Sequence, residues 1–129
     1  QEIGDRHGEG VWLGGLGNVC RDINEIEKAV EYYSKALKIA QEVGDKGNEG
    51  TWLNNLGDIC RNKKQYKEAL AFYLLAKDIF TQIEDPYLLA TESNLKNLEK
   101  ELGENEFEKL VIEVKPKAEE IVKKILEEI

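Results

Sequence analysis

The sequence predicts an all-α fold, a solenoid of stacked antiparallel helix hairpins closed by a C-terminal helix. Three observations predict it. The chain repeats itself at a fixed spacing of forty residues. Within each copy the apolar residues recur at helical intervals rather than alternating as a strand would. Helix-ending residues fall at matching points of the copies.

The repeat is legible by eye. "QEIGDRHGEG" at residues 1–10 returns as "QEVGDKGNEG" at residues 41–50. The same shift superposes Trp12-Leu13 on Trp52-Leu53, Leu16-Gly17 on Leu56-Gly57 and Cys20-Arg21 on Cys60-Arg61. It also superposes Ala29, Tyr33 and Ala36 on Ala69, Tyr73 and Ala76. Similarity at a period of this length marks supersecondary units that bury their apolar faces only by stacking. Residues 1–5 correspond to the end of a unit, and no methionine occurs anywhere, so the chain is expected to be cut from a longer array.

Three units and a closing helix follow in order. Residues 6–43 form the first: Leu13, Leu16 and Cys20 line a lead helix, and Ile26, Ala29, Val30, Tyr33, Ala36 and Leu37 line a trailing one. Residues 44–83 repeat this with Leu53, Leu56 and Cys60, then Tyr66, Ala69, Leu70, Tyr73 and Ala76. Gly44 suits the left-handed position that ends a helix, and Asp45 can cap the next. Asn24 with Glu27, and Asn105 with Glu108, read as capping boxes. Residues 84–115 form a degenerate third unit. Its lead helix is expected over Asp85–Leu102, with Pro86 at its first position, and Phe107, Leu110, Val111 and Val114 begin its trailing helix. Pro116 should break the chain there. The stripe Ala118, Ile121, Val122, Ile125, Ile129 then predicts a separate last helix over residues 116–129 that covers the last hairpin, as solenoid ends require.

Composition narrows the function. Of 129 residues, 41% are apolar and 34% charged, with a net charge of −8. That balance disfavours nucleic-acid backbones, which need clustered cations. No apolar run approaches the ~18 residues of a membrane span. Cys20 and Cys60 hold equivalent positions in packed units about 10 Å apart, too far for a disulfide, and unpaired thiols fit a cytoplasmic setting. His7 is the only histidine and is expected on the surface of the connecting turn. Zinc and thiol catalysis therefore lack their usual partners, and neither an enzyme, a metal nor a cofactor is expected. The glycines of "GEGVWLGGLG" follow no strand and contain no GK[ST], so they do not form a nucleotide loop. Trp12 and Trp52 are expected to pack between hairpins. Gly14 and Gly15 each cost about 1 kcal/mol in mid-helix, which leaves two explanations: close helix packing, or room for a partner.

The pattern Leu-x2-Leu-Gly-x2-Cys followed by Ala-x3-Tyr-x2-Ala, present twice in phase, resembles the tetratricopeptide repeat. The period of forty exceeds the usual 34, Leu13 and Leu53 stand for tryptophan, and Cys20 and Cys60 stand for tyrosine. The longer unit, with Asn55-Leu56-Gly57, is similar to the repeats of kinesin light chains and cell-polarity adaptors. The resemblance implies a right-handed superhelix whose lead helices line a groove for a peptide or protein partner, often within a larger regulatory or scaffold protein. Carried over position by position, it places Gly14, Gly15, Asn18 and Arg21 of the first unit in that groove. It adds Thr51, Asn54, Asn55, Asp58 and Arg61 of the second, and Lys96, Asn97 and Lys100 of the third. Amides there can pair with any peptide backbone, and arginines can clamp a carboxylate. Gly14 replaces the lysine of relatives that hold chaperone tails, so such tails are not expected. The alternative role is a structural spacer, or a module that self-associates through the first hairpin and the last helix.

Overall fold

The computed structural model describes residues 3–129. Seven α-helices follow one another: α1 (Ile3–Asp22), α2 (Ile26–Val43), α3 (Lys46–Asn62), α4 (Tyr66–Gln82), α5 (Leu88–Leu102), α6 (Glu104–Val114) and α7 (Ala118–Glu127). A short 3-10 turn over Lys115–Lys117 separates the last two. No strand occurs among the described residues. Helices α1 and α2 pair as a hairpin, α3 and α4 as the next, and α2 packs on α3 to stack one upon the other. This is the all-α solenoid of stacked hairpins that the periodicity predicts, arranged as the resemblance to the tetratricopeptide repeat implies.

Both complete hairpins close by one device. After α1, Asn24 turns left-handed (φ 64°) while the Glu25 amide reaches back to the Cys20 carbonyl. After α3, Lys64 (φ 61°) and Gln65 do the same onto Cys60. Asparagine tolerates this conformation better than lysine. Asn24 is thus spent on ending α1. Glu25 occupies the N-cap of α2 with no side-chain hydrogen bond, so the expected Asn24–Glu27 capping box does not form. Nor does the Asn105–Glu108 box, because α6 already starts at Glu104, one residue after Gly103. The Gly44–Asp45 signals act as read: Gly44 is left-handed (φ 75°), and Asp45 accepts from the Asn48 amide at 3.1 Å. Gly4 and Asp5 carry the same dipeptide yet lie inside α1. Asp85 and Pro86 form a turn in which Asp85 accepts from the Tyr87 amide, so α5 begins at Leu88 rather than Asp85.

Small residues set the helix spacing. A Cβ on Gly17 would sit 2.6 Å from the Tyr33 ring, and one on Gly57 would sit 2.7 Å from that of Tyr73. Glycine at the centre of each lead helix therefore lets the trailing tyrosine lie flat against its backbone. Tyr33, Tyr73, Phe72, Phe80, Leu37, Leu53, Leu70 and Leu98 are fully buried, or nearly so, in one continuous core.

Helix α4 is covered on more sides than α2. Where α2 carries Glu31, Ser34 and Lys35, the positions forty residues on carry Ala71, Leu74 and Leu75. A helix apolar over most of its circumference needs cover over most of it. Besides α3, helices α5, α6 and α7 all contact α4. Val122 and Ala118 of α7 are buried there, so the last helix folds back over the second hairpin. Pro116 lies within the 3-10 turn that makes this reversal.

Candidate functional site

The stacking puts a polar tract inside the joint between lead and trailing helices. In the first hairpin the Tyr33 hydroxyl donates to Asn18 Oδ1 at 2.5 Å; in the second, the Tyr73 hydroxyl donates to Asp58 Oδ1 at the same distance. Both bonds span fifteen residues, from near the C-terminal end of the lead helix to the middle of the trailing one, and repeat with the period. Burial pushes the Tyr33 hydroxyl up to about 12, against the pull of Arg21. Burial and the Asp58 charge push that of Tyr73 still higher. Both remain protonated donors at neutral pH.

Charges gather around these bonds. The Arg21 guanidinium stands over the Tyr33 ring, 5.9 Å from its centroid, within cation–π range. Burial raises the Asp58 carboxyl above its ordinary range and outweighs the opposing hydrogen bond from Tyr73 and the charges of Arg61 and Arg21. Arg61 is only 18% exposed at its side chain; its Nε lies 3.9 Å from Glu101 of α5. Its Nη1 is enclosed and makes no hydrogen bond. A buried guanidinium nitrogen without an acceptor costs free energy that an anionic group would recover.

Asn18, Arg21, Asp58 and Arg61 therefore come together, half-buried, with Tyr33, Tyr73 and Glu101. The remaining groove candidates lie elsewhere. Asn54 is 2% exposed, and its Oδ1 accepts from Thr91 at 3.0 Å and from Asn94 at 3.1 Å, tying α3 to α5. Asn55 is buried as well. Thr51 donates to the Gly47 carbonyl of its own helix. Lys96, Asn97 and Lys100 are exposed on the side of α5 opposite Leu95 and Leu98. The tyrosine hydroxyls did not stand out as polar partners because Tyr33 and Tyr73 fit the apolar stripe. Their recurrence fifteen residues after Asn18 and Asp58 was the available signal.

The mid-helix glycines divide. A Cβ on Gly14 would meet the Trp52 ring at 2.0 Å, so close packing accounts for Gly14; a Cβ on Gly15 would meet nothing within 4 Å. Trp52 is 6% exposed and stacks on Tyr33, with ring centroids 5.7 Å apart. Among the described residues Trp12 is 65% exposed and lies between no hairpins, contrary to expectation. His7 belongs to α1 rather than to a turn, and its Nε2 lies 2.6 Å from Asp45 Oδ2.

Reactive chemistry finds little support. Cys20 and Cys60 are unpaired and buried. Burial pushes the Cys60 thiol up to about 11, far from the thiolate that nucleophilic attack requires. Among the described residues, no three His, Cys, Asp or Glu side chains are placed to share a metal ion, and no helix is long and apolar enough to cross a membrane.

Comparison with known proteins agrees with the helix pairing. The family model for the tetratricopeptide repeat matches residues 13–43 and 53–81, one match on each complete hairpin. No curated protein and no solved structure matches the chain.

Proposed function

The chain belongs to the tetratricopeptide-repeat family, a family of protein-interaction modules, and from that premise we propose that it binds a peptide or protein segment along its lead helices without catalysing a reaction. It does so as the binding portion of a larger regulatory or scaffold protein. The tract of Asn18, Arg21, Asp58 and Arg61 is the centre of that surface; Lys96, Asn97 and Lys100 lie apart from it on the exposed side of α5. Asn54 is left out, since its acceptor is spent on Thr91 and Asn94.

The observation that carries the reading is the Arg61 guanidinium. It is mostly buried and incompletely paired beside a carboxylate whose own pKa is raised by burial. Such an arginine favours a ligand carrying a carboxylate, from an acidic side chain or a peptide C-terminus.

Selection of displayed peptides against the whole chain, followed by calorimetry on the selected sequences, tests this. Acidic peptides should be enriched, and Arg61→Ala should weaken their binding at least about tenfold, the ~1.4 kcal/mol expected for a charge-assisted bond. Equal affinity in wild type and Arg61→Ala, with the fold intact by circular dichroism, would remove Arg61 from the site.

A further inference from the structure

Among the described residues, two buried side-chain polar atoms make no hydrogen bond: Arg61 Nη1 and Glu49 Oε1. Both belong to α3, but they lie about 18 Å apart along its axis, so neither can satisfy the other. Arg61 is part of the groove tract. Glu49 faces a different space.

That space is a cleft of about 860 Å³ bounded by α2, α3, α4 and α7, and none of Asn18, Arg21, Asp58 or Arg61 lines it. Its floor is apolar: Leu53 and Val122 are buried, and Leu75, Ile79 and Leu126 are half-buried. Among its charged lining residues only Glu49 is buried, at 9% exposure. The exposed rim sets Lys38, Lys46 and Lys123 against Asp78, Glu119 and Glu127. Three cations offset three carboxylates, which leaves the charge of Glu49 in excess. An apolar cavity of roughly 300–1,000 Å³ with one fixed polar group is the usual form of a small-molecule site.

The first unit shows how the same carboxylate is met elsewhere in the chain. Glu9, forty residues earlier, accepts from Arg6 and is only half-buried. Lys46 stands where Arg6 does. Its Nζ lies 3.3 Å from Glu49 Oε1 without making a hydrogen bond, and its side chain is exposed. A lysine ammonium is strongly hydrated and sits on a flexible stem, so Lys46 can withdraw into solvent. An enclosed carboxylate oxygen without a donor costs free energy, and a cation inside the cleft recovers it through a charge-assisted bond.

We propose that this cleft binds a small organic monocation, an ammonium group on an apolar chain, with Glu49 accepting from the ammonium. Leu53, Leu75, Val122 and Leu126 cover the apolar chain. The rim balance favours one positive charge over two, and Glu49 disfavours carboxylates and phosphates. Helix α7 supplies Val122 and Leu126, so the site depends on the last helix being folded back.

Hexylammonium is the probe, with hexanol and hexanoate as the neutral and anionic controls on the same apolar chain. Backbone-amide NMR titration of the whole chain to about 10 mM covers the dissociation constant expected of so few atoms, on the order of 1 mM. Saturable shifts should appear at Leu53, Leu75, Val122 and Leu126, with hexanol at least about tenfold weaker and hexanoate not saturating. Glu49→Gln keeps the shape, removes the charge and should weaken hexylammonium at least about tenfold. Lys46→Ala changes an exposed position that does not threaten the fold, and loss of the competing ammonium should tighten binding about two- to fivefold. Glu108→Gln, an exposed carboxylate outside the cleft, and Arg61→Ala should leave binding unchanged. Absence of saturable shifts in the cleft overturns the proposal, as does equal affinity for hexanol or weaker binding in Lys46→Ala. Equal losses in Glu49→Gln and Glu108→Gln would reduce the effect to diffuse attraction by an acidic chain. Loss with Arg61→Ala would move the cation to the groove tract.

Discussion

Trp12 and Trp52 occupy the same position of consecutive units, in the same dipeptide with leucine, yet one is 65% exposed and the other 6%. The difference is made by what stands beside each helix. Trp52 has a preceding hairpin whose lead helix gives way at Gly14 and whose trailing helix offers the Tyr33 ring. Trp12 has neither. In a stack, the sequence of one unit specifies a face, and the neighbouring unit decides whether that face becomes core.

The sharpest way to break the comparison is to truncate both rings. Trp52→Ala should cost about 3–5 kcal/mol, as removal of a buried aromatic does, whereas Trp12→Ala should cost less than about 0.5 kcal/mol in dilute solution. Urea titrations of the two variants check this. Equal midpoints would mean that hairpin stacking contributes little to the stability of α3.

Neighbouring glycines sharpen it further. Gly14→Ala places a Cβ against the Trp52 ring, which is 6% exposed and stacked on Tyr33, and should destabilise by about 2 kcal/mol even after the gain in helix propensity. Gly15→Ala, one residue on, meets nothing and should stabilise by about 0.5–1 kcal/mol. Thermal melts at low concentration should show shifts of opposite sign. A shared sign would dismiss the Gly14–Trp52 contact as the reason for the glycine.

The repeat explains which features were legible. The hairpins, the left-handed Gly44, the Asp45 cap and the break at Pro116 follow from spacing and residue type alone, because both act within a few residues. The α7 reversal was legible in principle: Ala71, Leu74 and Leu75 replace the polar side of α2 and demand a cover. Asn54 reads as a groove residue from sequence because an amide on a lead helix is polar by default. Its acceptor is claimed by Thr91 and Asn94, thirty-seven and forty residues away, and such pairings leave no local trace. Asn24 misled for the opposite reason, since asparagine serves both helix starts and left-handed turns.

The smallest expected effect concerns the two tyrosine bonds. Tyr33 bonds to the neutral Asn18, while Tyr73 bonds to Asp58, a carboxylate whose pKa burial raises. A carboxyl raised in the folded state withholds stability while ionised. Its cost is fully present above the folded pKa, shrinks as pH falls through it, and is gone below the unfolded value of about 3.9. Asp58→Asn keeps an acceptor for the Tyr73 hydroxyl, as Asn18 does for Tyr33, and removes the charge. It should therefore stabilise by up to about 1 kcal/mol at neutral pH, with the gain vanishing toward about pH 4. Asp45 runs the other way. Burial pushes its carboxyl up, but the hydrogen bonds from Asn48 and His7 win and hold it below the ordinary value. Its contribution is present above the unfolded pKa and is lost as pH falls through the folded one, so Asp45→Ala should cost about 1 kcal/mol at neutral pH and less in acid. Melting both variants across this range should give differences of opposite sign that shrink together. A pH-independent gain in Asp58→Asn would show that packing around Tyr73, not the buried charge, separates the two hairpins.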